Sequence, residues 1–259
     1  MKRSDIYILT LFSLILIFCS TSNINSQNHG DDIIQQIKQN NAEGIKDRKS
    51  AIEYYKKRLG YIDIDNQGNF ESFTCSKEDD IKDEDLKFLV FFPELGSVHL
   101  VGYKITDKSL IYFQNLKNIR SISLNETSVT GNGFKYLLDK VELYQFEFSK
   151  SPITNEGLKY LSEIKYKNPI IGLYLSESKI TDDGMPYIAK MKFDQGRISL
   201  IGTSVTDKGI KHLVGFKNMI EIFLYNTKVT DKGGKWLEAQ LPNTTVYWGK
   251  RKPQNDDEY

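Results

Sequence analysis

Two hydrophobic rhythms take turns along most of this chain. In one, two apolar residues flank a single variable residue, the period-two signature of a strand with one face buried. Its pairs are Val98/Leu100, Ile122/Leu124, Phe146/Phe148, Leu173/Leu175, Ile198/Leu200, Ile222/Leu224 and Val246/Trp248. In the other, apolar residues fall at i and i+3, as on a helix face: Leu86/Leu89, Leu110/Phe113, Phe134/Leu137, Leu158/Leu161, Met185/Ile188 and Ile210/Leu213. A lone aliphatic residue heads each helical stretch, at Ile81, Ile105, Val129, Ile153, Ile180, Val205 and Val229, in steps of 24, 24, 24, 27, 25 and 24 residues. That period predicts a solenoid, in which no unit can bury its own apolar face and each is stabilised by stacking on the next.

The polar residues between these rhythms sharpen the expected coil. Thr106, Thr130, Thr154, Thr181, Thr206 and Thr230 stand where an N-cap is needed, and Asp107, Asp182, Asp207 and Asp231 follow where the helix dipole favours an anion. Helices this short depend on packing. After each strand pair comes a small hydroxyl residue, Thr127, Ser151, Ser178, Thr203 or Thr227, with Tyr103 as the exception. Their burial predicts a ladder of hydroxyls donating to the backbone of the neighbouring coil.

Ahead of the repeats, residues 31–80 read as a cap. Ala51, Ile52, Tyr55 and Leu59 lie at helical spacing after a break at Gly44, and Ile33, Ile34 and Ile37 suggest an earlier helix. Residues 61–64 and 70–73 read as a hairpin around Asn66-Gln67-Gly68-Asn69. Asp63, Asp65 and Gly68 match the start of a calcium loop, but Gln67 and Thr74 stand where further ligands are needed, so a plain turn is the better reading. Residues 249–259 read as a frayed tail, and its basic start discourages strand addition.

The first nineteen residues form a leader. Lys2 and Arg3 precede an apolar run from Ile6 to Cys19, and the chain then turns polar over residues 20–30, a flexible tether. The run is about 21 Å long as a helix, short of the roughly 30 Å hydrocarbon layer, which favours a secretory signal over a permanent anchor. Leu16-Ile17-Phe18-Cys19 resembles a bacterial lipobox, with Phe18 where a small residue normally stands. Lipidation of Cys19 would tie the chain to the cell envelope; cleavage after Ser22, with simple secretion, is the rival.

Composition narrows the function classes. Lys and Arg total 35 against 34 Asp and Glu, so no long-range field selects nucleic acid or an anionic membrane as the main partner, which leaves only local patches. Two cysteines exclude a disulfide framework and leave Cys75 as a small, partly buried residue. No phosphate loop, metal-spaced Cys or His pair or nucleophile elbow is present. The three histidines, His29, His99 and His212, are scattered. We therefore expect no catalytic residues, no metal, no cofactor and no enzyme activity.

The Ile-Thr-Asp-x-Gly-Leu-like segments, best seen in Val205-Thr206-Asp207-Lys208-Gly209-Ile210, resemble the leucine-rich repeat family, in its bacterial and F-box-associated subclass. The resemblance covers residues 81–248, about seven repeats, with Thr or Ser at the ladder position where the family often has Asn or Cys. It implies an α/β solenoid, curved, with a parallel sheet on the concave face and short helices on the convex one, used mostly for protein recognition.

Stacking the units turns sequence offsets into surface columns. Phe88, Tyr112, Tyr136, Tyr160, Tyr187, His212 and Trp236 form a ring column expected to stack along the convex side. Beside it lie Lys87, Lys135, Lys159, Lys211 and Lys235, three of them four residues after Asp83, Asp207 and Asp231, which predicts a self-neutralised ridge. On the concave side the outward residues are mostly small and polar until the last strands. There Tyr174, Arg197, Ile201, Glu221, Phe223, Tyr225 and Tyr247 gather into an expected exposed patch with hot-spot composition. These seven residues are the candidate protein-binding site. The function expected is a non-enzymatic, exported scaffold of the bacterial cell envelope; the alternative is an intracellular F-box-like adaptor that selects substrates through its repeats, which would have no use for the leader.

Overall fold

A computed structural model describes residues 35–37, 39, 44–59 and 70–250. The chain divides into Met1–Ala42 and Glu43–Tyr259, and the sheet and its helices belong to the second unit. The leader, Cys19, the tether, the Asn66–Asn69 turn and the tail from Arg251 lie outside the described residues.

Among the described residues eight strands form one sheet in sequence order, and every pairing is parallel. They are β1 (Ser72–Cys75), β2 (Ser97–Val101), β3 (Ser121–Asn125), β4 (Gln145–Glu147), β5 (Ile170–Tyr174), β6 (Phe193–Ser199), β7 (Glu221–Tyr225) and β8 (Thr245–Gly249). Neighbours pair as the repeat spacing dictates, with Val98 opposite Ile122, Leu173 opposite Ile198 and Ile222 opposite Val246. Each expected inward pair is buried except Trp248, which is half-buried at the last coil. This open parallel sheet, backed by short helices, is the α/β leucine-rich repeat architecture.

The sheet begins one strand earlier than the inward pairs from Val98 onward indicated. The segment expected as the second arm of a hairpin is β1, and it runs parallel to β2 with Phe73 and Cys75 buried. Burial pushes the Cys75 thiol up to about 11, so it stays protonated at neutral pH.

The return path of each coil is mostly 3₁₀ helix, at Asp83–Phe91, Asp107–Asn115, Asn132–Leu137, Asp182–Gly184 and Gly209–Leu213. A 3₁₀ helix rises about 2.0 Å per residue against about 1.5 Å for an α-helix, so a short coil closes with fewer residues. The 27-residue step has room for the α-helix Asn155–Glu163, called α2 here; α1 is Arg48–Leu59, α3 Met185–Lys190 and α4 Asp231–Gln240. The i, i+3 pairs are fully buried against the strand pairs, from Leu86/Leu89 to Ile210/Leu213.

The Asp of the repeat does not serve its own helix. Asp107 accepts from Thr130 N (3.0 Å), Thr130 Oγ1 (2.7 Å), Gly131 N (3.0 Å) and Gly133 N (2.9 Å), all in the following coil. Asp83 likewise holds Thr106, Asp182 holds Thr206, and Asp207 holds Thr230. Asn155 does the same for Thr181 with its amide. A carboxylate with donors from the next coil is a latch between units, and it explains the repeat's glycine. A Cβ at Gly209 would come within 2.3 Å of Asp182 Oδ1, and one at Gly233 within 2.0 Å of Asp207 Oδ1. Where Gly131 replaces the Asp, Thr154 bonds the Thr130 carbonyl instead and Gly157 packs against Gly131.

The hydroxyl ladder is mostly internal to each coil. Thr127, Thr203 and Thr227 donate to carbonyls three residues back, at 3.0, 2.7 and 2.7 Å. Only Ser151 reaches a neighbouring carbonyl, that of Leu124, at 2.6 Å, and the Ser178 hydroxyl is buried with no protein partner among the described residues. Adjacent coils are joined here by backbone. Glu126, Lys150, Glu177 and Asn226 take φ between 55° and 59°, and each N–H donates to the next coil's carbonyl at 2.7–2.9 Å. These left-handed positions cost about 1 kcal/mol each for a residue with a Cβ, offset by the bond they aim.

Helix α1 packs at the start of the solenoid through a charged anchor. Asp85, 3% exposed, takes hydrogen bonds from Tyr54 Oη, from Lys82 N at 3.0 Å and from Arg58 Nη2 at 3.0 Å, while Tyr55 donates to its carbonyl at 2.8 Å. Around it, Tyr54, Tyr55, Phe70, Phe73, Phe88 and Phe92 make edge-to-face contacts. Burial pushes the Tyr55 phenol well above its ordinary range.

Candidate functional site

The outward face of the sheet divides into two chemically different halves. Over β2–β4 the side chains are small or polar and bond one another: Asn125 Nδ2 donates to Ser123 Oγ (3.0 Å), Asn125 Oδ1 accepts from Ser149 N (2.8 Å), and Gln145 Nε2 donates to Glu147 Oε1 (2.7 Å). From β5 onward aromatic rings take over.

The parallel register brings six of the seven candidate residues together in three rows. Tyr174, Ser199, Phe223 and Tyr247 are opposite one another across four strands, with Arg197 opposite Glu221 in the row before and Tyr225 in the row after. Ile201, the seventh, follows the end of β6 in the Tyr225 row. The Phe223 and Tyr247 rings stack at 4.9 Å and 5°, and Tyr225 leans on Tyr247 at 5.9 Å and 34°. Arg197 Nε donates to Glu221 Oε2 at 2.6 Å, and Tyr247 Oη to Glu221 Oε1 at 3.3 Å. The Tyr174 phenol is pushed up by burial, against the pull of the nearby Arg197. Tyr174, Ile201, Phe223, Tyr225 and Tyr247 are thus half-buried rather than fully exposed, and the last three cover one another. Such cross-strand ring pairs contribute about 0.5–1.5 kcal/mol each.

Two features of this region were not anticipated. Gly172 lies beneath the Tyr174 ring: an added Cβ would be 2.8 Å from Cε2, so the glycine is what lets the ring lie down against the sheet. A glycine inside a strand is the sequence signal for such a close approach. Ile171 and Ile220 are 46% and 42% exposed, each one residue before the Gly172–Arg197–Glu221 row. Ser199 is buried, bonded to Ser176 at 2.8 Å, and supplies the floor between Tyr174 and Phe223.

The helix face departs from expectation. Its rings do not stack on one another: Phe88 meets Tyr54, and the lysines lie over rings instead, Lys135 over Tyr136 and Lys190 over Tyr187. His212 and Trp236 are exposed. Nor do Asp83 and Asp207 neutralise lysines four residues on, since both are engaged by threonines of the next coil. Among the described residues no three His, Cys, Asp or Glu side chains group as metal ligands, and no helix is long and apolar enough to cross a membrane.

No protein-family model matches the chain, and no curated protein matches it either. Among solved structures it is similar to an internalin from Listeria monocytogenes, with 16% identity and a TM-score of 0.49 over 72% of this chain and 55% of that one. The chain thus spans about half the length of that protein.

Proposed function

We propose that the chain is a non-enzymatic scaffold that recognises a protein partner through Tyr174, Arg197, Ile201, Glu221, Phe223, Tyr225 and Tyr247. The observation that carries this reading is the segregation of the sheet face. In the polar half Asn125 bonds Ser123 and Gln145 bonds Glu147, whereas the β5–β8 half offers stacked rings around an Arg–Glu pair. Aromatic rings fixed in place before binding lose little rotamer freedom on contact, which is what makes them interface anchors. The Arg197–Glu221 pair, at 46% and 24% exposure, adds little to stability and is better suited to orienting a partner.

Phe223→Ala with Tyr225→Ala is the test, using affinity capture from envelope extract. We expect loss of a partner that wild-type protein retains and that a Ser121→Ala, Ser123→Ala control also retains. Equal capture by all three contradicts the reading.

The site of action we propose is the bacterial cell envelope, with the chain tethered through a lipid on Cys19 or else secreted. The support is the leader's sequence alone. Mass spectrometry of the mature chain is expected to show a diacylglyceryl group on Cys19; an unmodified start at Asn23 contradicts it.

A further inference from the structure

The last two coils carry a second surface, on the side opposite the rings just described. The 3₁₀ helix Gly209–Leu213 and helix α4 stand side by side, joined by the Asp207–Thr230 latch. That latch aligns Lys208 with Lys232, Lys211 with Lys235, and His212 with Trp236. All six side chains are exposed, Trp236 at 37%. None of the four lysines makes an ion pair among the described residues, in contrast to Lys159, which is paired with Glu156.

Charge on these coils is unbalanced toward this face. Residues 206–240 hold six lysines and four acids, and one of the acids, Glu221, is on the sheet side bonded to Arg197. The remaining acids, Asp207 bonded to Thr230 and the exposed Asp231 and Glu238, keep their charge and leave the six lysines in excess by three. The first coil's helical segment is the opposite case, with Asp83, Glu84 and Asp85 in its first turn.

We infer that this lysine grid with its neighbouring tryptophan docks on the surface of an anionic lipid bilayer. Lysine is a point charge on a long apolar stem, suited to lying along a headgroup layer, whereas a polyanionic chain is better gripped by arginine forks in a groove. Trp236 supplies the amphipathic ring that settles at the water–lipid boundary. Docking by the helix face leaves the opposite sheet face open, so the two surfaces are compatible. The inference depends neither on the proposed protein site nor on lipidation of Cys19.

Trp236 is itself the reporter. The full chain is mixed with vesicles containing brominated lipid, either phosphatidylcholine alone or with about one-third phosphatidylglycerol, and quenching is compared with that of Trp236→Phe, so that the difference belongs to Trp236. We expect quenching of Trp236 only in the anionic vesicles, reversed at about 0.5 M salt. Docking should weaken about fivefold for each of Lys208→Gln, Lys211→Gln, Lys232→Gln and Lys235→Gln, with circular dichroism unchanged because all four are exposed. Equal quenching in neutral vesicles, or none in either, overturns the proposal. So does heparin shielding Trp236 from acrylamide as well as anionic vesicles do, which would assign the grid to a soluble polyanion.

Discussion

Asp107→Ala is expected to lower the unfolding free energy by about 2–4 kcal/mol, while Asp231→Ala changes it by less than about 0.5 kcal/mol. The two positions are equivalent in the repeat. Asp107 accepts four hydrogen bonds from the following coil, so its removal strands the Thr130, Gly131 and Gly133 amides at a packed seam. Asp231 stands in the last described coil, and none of the cap threonines that its counterparts hold follows it among the described residues. In a solenoid each unit is stabilised chiefly by its neighbours, so a broken seam propagates. Chemical denaturation of the two variants checks this directly. Equal midpoints would mean that the aspartates act on their own helices, as the sequence alone led us to expect.

Asp85→Ala is expected to destabilise the chain by about 2–3 kcal/mol. Asp85 is buried, and its loss removes the acceptor that the Lys82 amide, Tyr54 Oη and Arg58 Nη2 share. Arg58 is itself a third exposed and keeps its bond to the Asp80 carbonyl at 3.2 Å, so the cost lies in the buried acceptor and its packing rather than in a stranded charge. Helix α1 covers the first coil through this anchor, so hydrogen exchange should speed up first in β1 and β2. Asp85→Asn keeps an acceptor and should cost less. A uniform loss of protection from β1 to β8 would show that the anchor is not a local cap.

Much of the fold was legible because burial writes itself into sequence at fixed spacing. The strand pairs from Val98/Leu100 to Ile222/Leu224 and the helix pairs all proved to be core. The first strand was obscured because Cys75 does not look aliphatic, although Phe73 and Cys75 stand 25 residues before Val98 and Leu100. The latch was harder to see. An Asp one residue after a Thr satisfies every local criterion for dipole complementation, and only the distance between coils shows that it reaches the next Thr first. The repeated glycine was the available clue, since a short helix gains nothing from it unless something occupies the place of its side chain.

The sheet-face residues were legible as a group because a parallel sheet with constant register converts sequence offset into adjacency. Their mutual cover was not, because ring orientation depends on neighbours such as Gly172 and Ser199. The convex ring column failed for a related reason. Adjacency in register is enough for rings on hydrogen-bonded strands about 4.8 Å apart, but helical segments stand about 8–10 Å apart, beyond ring-to-ring stacking.

The central claim is that the β5–β8 rings are where a protein partner binds. It is tested most directly by titrating the captured partner against wild-type protein and the Phe223→Ala, Tyr225→Ala variant under one condition. The account predicts at least a 30-fold rise in Kd, about 2 kcal/mol, for removal of two central ring anchors, with the Ser121→Ala, Ser123→Ala control unchanged. An unchanged Kd in the ring variant, or an equal loss in the control, would contradict it.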